Sequence, residues 1–123
     1  MAKLQGYDFT LRGDPARVKA TAQQVLETRS FRLTWRDEWT ATAERGNKVA
    51  NAIVGAVAQY FKVGVAIRSG TDGNSIMRVE RQSSGWMGGA IGAARTTKNL
   101  ERLRDELTAT FGAADVLVST NSF

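Results

Sequence analysis

The chain has no cysteine, no histidine and a single proline. Without cysteine there is no disulfide and no thiolate metal site, which fits a reducing compartment. Without histidine the commonest general base, the commonest proton shuttle near neutral pH and the commonest metal ligand are missing. Ser-His-Asp and Cys-His nucleophilic machinery is excluded. A zinc site would rest on carboxylates alone, an unusual ligand set. Long hydrophobic runs are also missing: no apolar stretch reaches the ~20 residues of a spanning helix. The start, MAKLQGYDFTLRGD, lacks the apolar region of a secretory signal. These absences lead us to expect a soluble cytoplasmic protein with no metal and no cofactor.

At 123 residues, the length fits one domain. With 42% hydrophobic residues the chain can bury a core without covalent staples. Net charge is +5, from 17 basic and 12 acidic residues. The charges are interspersed rather than gathered in a tail, as in many bacterial Arg-rich proteins with no nucleic-acid role.

Periodicity predicts the elements. Tyr7, Phe9 and Leu11 alternate with Asp8, Thr10 and Arg12, a half-buried strand. Asp14 is a suitable N-cap and Pro15 suits the first helical position. The helix that follows runs to about Thr28, with Val18, Ala22, Val25 and Leu26 as its apolar stripe. Arg12-Gly13-Asp14 spells an adhesion tripeptide, but these residues are explained as strand end, turn and cap. A hairpin comes next. Phe31, Leu33 and Trp35 lead to an Asp37-Glu38 turn and return through Trp39, Ala41 and Ala43. Alternation puts Trp35 and Trp39 on the inner face as a cross-strand pair, opposite Arg32 and Arg36. That argues against a base-stacking platform. A second hairpin, Phe61 to Gln82, turns at Gly70-Thr71-Asp72-Gly73. Leu100, Leu103, Leu107 and Phe111 then stripe an amphipathic helix, with Gly112 as its expected cap.

The expected order is β-α-β-β-α-β-β-α. It describes an α+β fold, a two-layer sandwich whose antiparallel sheet has two hairpins plus an N-terminal strand. Residues 1–112 form the domain, and 113–123 a tail that is either an edge strand or disordered.

Two segments stand apart: 47–61 (NKVANAIVGAVAQYF) and 84–94 (SGWMGGAIGAA), apolar but built of small residues. Gly and Ala permit close backbone approach while burying little area. The first reads as a helix over Lys48–Tyr60, apolar nearly all round, with Val49, Ile53 and Val57 on one face. The second carries Trp86, Met87, Gly88, Gly89, Ile91 and Gly92. Gly85/Gly89, Gly88/Gly92 and Ala52/Ala56 are small-xxx-small pairs, a spacing that allows helices to touch closely. Trp86, between glycines, suits a core plug, an interface anchor or a membrane-surface anchor.

The glycines precede Arg95 and Lys98, two candidate anion contacts. There is no G-x-x-x-x-G-K-[ST] and no true G-x-G-x-x-G, which weighs against a phosphate loop. Carboxylate pairs are thin as well: Asp37-Glu38 is a turn, and Glu101 and Asp105 lie among Arg and Lys on a wet face. The expectation is a non-catalytic interaction module, self-associating or binding a protein partner through these two segments. The alternative is a lipid or apolar-ligand binder, or peripheral membrane contact through the Trp86 loop. Nucleic-acid binding ranks third, and an enzyme last.

Overall fold

Why the chain folds as it does follows from how its alternating stretches share one core. The computed structural model describes residues 4–45, 61–81 and 90–123, with side chains from 97 onward in the last segment. The elements are β1 (Gly6–Arg12), α1 (Pro15–Thr28), β2 (Arg32–Trp35), β3 (Thr40–Arg45), β4 (Phe61–Ser69), β5 (Asn74–Arg81), α2 (Ala90–Ala113) and β6 (Leu117–Ser122). All six described strands form one antiparallel sheet in the order β2-β3-β4-β5-β1-β6. The fold is α+β. The helix expected over Lys48–Tyr60 lies outside the described residues. The expected order is corrected at its end, where a strand follows the last helix. Within the tail, Leu117–Ser122 pairs with β1, because Leu117 and the β-branched Val118 and Thr120 lie along its open edge.

Register sorts residues onto two faces. Trp35, Ala41, Val65, Val79, Tyr7 and Ser122 form one row across all six strands. Ile67, Met77, Phe9 and Thr120 form the next row on that face. Tyr7, Phe9, Val65, Ile67, Met77 and Val79 from these rows join Val18, Ala22 and Leu26 of α1 and Leu100, Leu103, Leu107 and Phe111 of α2 in a single core, with Trp35 partly buried against it. Phe9 and Phe111 meet with ring centroids 6.0 Å apart. The helix stripes read from the sequence are the buried stripes, except that Val25 of α1 is only partly buried. A Val, Leu, Ile, Phe or Met side chain fully buried there is worth roughly 1.5–3 kcal/mol of transfer free energy.

Helix ends show what local sequence can and cannot announce. The Asp14 carboxylate accepts the Arg17 N–H at 2.8 Å, capping α1 with Pro15 at its first turn. Gly13, at φ +116°, makes the turn before it, and its carbonyl accepts the Ser75 hydroxyl at 2.8 Å. The C-termini are unexpected. At α1 the Ser30 N–H bonds the Glu27 carbonyl and the Phe31 N–H bonds that of Leu26, with Ser30 at φ 70°. At α2 the Asp115 N–H bonds Gly112 and the Val116 N–H bonds Phe111, with Asp115 at φ 59°. Both are Schellman endings with a non-glycine residue in the left-handed position. The expected Gly112 cap is therefore corrected: the helix continues through Ala113. Phe111, fully buried, supplies the carbonyl that accepts the Val116 N–H in this ending.

Candidate interaction surface

The described strand ends frame both small-residue segments. Segment 46–60 joins β3 to β4, whose Arg45 and Phe61 are ladder partners. Segment 82–89 leaves β5 at Arg81, which pairs with Val63 of the same β4. Both segments are therefore attached at one end of three neighbouring strands.

That end is fastened by two arginines. Arg45 reaches Glu106 of α2, Nη1 to Oε2 at 3.3 Å, with its guanidinium 4.7 Å from the Phe31 ring centroid. Phe31 in turn meets Phe61 edge-on at 6.3 Å. The Arg81 Nε donates to the Leu4 carbonyl at 2.9 Å, and Nη2 to the Thr97 hydroxyl at 3.0 Å. Aromatic and guanidinium groups thus hold the strand ends to α2.

Of the residues expected to form the surface, Val49, Ile53, Val57, Trp86, Met87, Gly88 and Gly89 lie outside the described residues. Ile91, Gly92 and Arg95 belong to the backbone of α2, and their side chains lie outside the described set. Lys98 is described, and it is exposed. The structure therefore brings together the anchoring ends of the segments and places Lys98 on the solvated side of α2.

Sequence reasoning missed the charged cluster on the opposite face of the sheet. Thr40, Ala66, Arg78, Asp8 and Asn121 form one row there. Arg78 grips Asp8 with a two-pronged contact, Nε to Oδ1 at 2.8 Å and Nη2 to Oδ2 at 2.9 Å. Arg68 approaches Oδ2 at 3.7 Å. The Phe123 ring centroid lies 4.1 Å from the Arg78 guanidinium carbon. The hydrogen bond from Arg78 holds the Asp8 carboxyl below its usual range, burial opposes this, and the charges of Arg78 and Arg68 add to the lowering. An ionised carboxylate whose two oxygens are both occupied is a poor general acid, base or nucleophile. Alternation alone puts Asp8, Arg68 and Arg78 on even positions. What was hidden is that β1 lies beside β5.

Trp35 and Trp39 are both on the helix side, where the Lys19 ammonium of α1 lies 4.5 Å and 5.4 Å from their ring centroids. The Trp35 Nε1–H donates to Gln23 Oε1 at 3.3 Å. They are not ladder partners as expected. Trp35 pairs with Ala41, and Trp39 sits in a turn spanning 36–39. There its N–H donates to the Asp37 carboxylate at 2.9 Å, which holds the Asp37 carboxyl below its usual range. A groove of ≈ 490 Å³ runs beside Ala20, Gln23, Gln24, Glu27 and Thr28 of α1, and Glu27 is its one ionisable described residue.

Among the described residues, no group of three or more carboxylates is placed to hold a metal ion. No described helix is long and apolar enough to cross a membrane. No protein-family model and no curated protein sequence matches the chain.

Proposed function

We propose that this chain is a non-catalytic interaction module. It associates with a second copy or a protein partner through segments 47–61 and 84–94. The supporting observation is that both segments spring from the same end of β3, β4 and β5, with Arg45↔Phe61 and Val63↔Arg81 as adjacent anchor pairs. Two small-residue segments rooted side by side offer one close-packing surface rather than two. In this reading the two helices form one layer and the sheet the other, a two-layer sandwich, in a cytoplasmic protein. A non-catalytic role is supported by the lack of histidine and cysteine and by the occupied state of Asp8.

The test is light scattering across a concentration series, or in the presence of a captured partner, for the parent chain and for a Gly88→Leu/Gly92→Leu variant. The expected result is weakened association with an unchanged thermal melt. A sharply lowered melting temperature in that variant would show internal packing sites instead. Liposome flotation, with a blue shift of tryptophan emission, would favour membrane contact and count against this reading.

A further inference from the structure

Among the described residues the sheet has two edges, β2 and β6, and they are defended differently. β2 is short, with Arg32 on it and Arg36 just beyond. β6, Leu-Val-Ser-Thr-Asn-Ser, has no charged residue and no proline. Natural edge strands are usually guarded by charge, proline or shortness, because their free N–H and C=O groups recruit other strands. Among the described residues the exposed large hydrophobics are Val118, at 48% and within β6, and Phe123, at 36% and directly after it. An unguarded edge and the exposed apolar side chains therefore coincide.

We propose that the free edge of β6 pairs antiparallel with β6 of a second copy, joining two sheets across a two-fold axis. This goes beyond the association proposed above and uses a different surface. The backbone is set for it. Phe123 and Gly6 exchange hydrogen bonds, Phe123 N–H to Gly6 at 3.1 Å and Gly6 N–H to Phe123 at 3.4 Å. Antiparallel alternation from that pair turns the groups of Asn121 and Ser119 toward β1, and those of Ser122 and Thr120 toward the free edge. An axis at Thr120 makes Thr120 its own partner and sets Val118 opposite the second copy's Ser122.

The occupant is a second copy because the strand is complementary to itself. An uncharged strand meets its own image without like-charge repulsion, and a threonine pair on the axis is a favourable cross-strand match. The Thr120 hydroxyl is buried with no hydrogen-bond partner among the described residues. A turn of χ1 brings it toward the same hydroxyl across the axis, and a satisfied polar group replaces an unsatisfied one. A six-residue edge buries less than the about 1,200 Å² of a standard stable interface, so the pairing is weak and concentration-dependent.

The experiment uses the full chain. Because it has no native cysteine, a Thr120→Cys variant has one thiol, and paired strands hold Cα atoms about 5.5 Å apart, within disulfide reach. Mild oxidation is expected to link Thr120→Cys into a covalent dimer at least ten-fold faster than Thr34→Cys on the β2 edge. Ser122→Pro removes a donor aimed at the free edge and is expected to weaken the dimer at least ten-fold in sedimentation. If Ser122→Pro fails to fold, the cross-linking comparison still decides. Equal cross-linking at both edges, or a parent chain monomeric at every concentration, would overturn the proposal. So would a dimer that survives Ser122→Pro and is lost in Gly88→Leu/Gly92→Leu, a result that leaves the small-residue surface standing.

Discussion

Met77 and Arg78 are neighbours on β5, yet they live on faces with different physics. Met77 is fully buried beneath the helices, in a row with Ile67 and Phe9. Arg78, one residue on, lies half-buried in a row with Ala66 and Asp8. The covered face holds aromatic and aliphatic side chains in one core. The other face carries threonine, alanine, glycine and paired charges. Stability is concentrated on the first, where area leaves water. The second contributes through hydrogen bonds and ion pairs that water also makes, so each is worth less.

The largest effect that would test this contrast is on the covered face. Phe111→Ala empties a site touching Phe9 and is expected to cost about 3–5 kcal/mol in urea unfolding at neutral pH. A cost under about 1 kcal/mol would mean the core is not shared with α2. The paired test within β5 comes next: Met77→Ala should cost about 2–5 kcal/mol and Arg78→Ala about 1 kcal/mol. Equal losses would erase the distinction between the faces.

Acid titration sharpens the same point. Asp8 has a lowered folded-state pKa, so its contribution is present above the unfolded value near 3.8 and fades as pH falls through the lower folded value. Asp8→Asn should therefore be less stable than the parent at pH 7, by about 1 kcal/mol, with the gap closing in strong acid. A gap that stays constant to pH 2 would show that the carboxylate charge is not what matters. A gain is expected at the end of α1. Ser30 holds φ 70°, so Ser30→Gly should raise stability by about 0.5–1 kcal/mol. The smallest effect belongs to Thr42→Val on the polar face, expected within about 0.5 kcal/mol of the parent.

Much of the covered face was legible in the chain. Alternation at Tyr7, Phe9 and Leu11, and at Phe61, Val63, Val65 and Ile67, named residues that are buried. The leucine stripe of α2 and the Asp14-Pro15 start of α1 were equally plain. These signals are local, since a strand has period two and a helix 3.6. The candidate surface was legible as composition, and the structure adds where its ends are fixed. The Asp8–Arg78 pair was not legible, because it joins residues 70 positions apart. Nor was the capping role of Ser30 and Asp115, since glycine is the residue that usually announces such an ending.

By itself the sequence determined which residues seek the interior, where α1 begins, and which catalytic and metal chemistries lack their usual residues. It did so because burial preference, N-cap geometry and missing functional groups need no neighbour to act. Only the tertiary structure decided that β1 lies between β5 and β6, that part of the tail becomes the edge strand beside β1, and that Asp8 meets Arg78. Strand order is a choice among pairings of similar local energy. It is settled by which arrangement buries both helix stripes against one continuous apolar face.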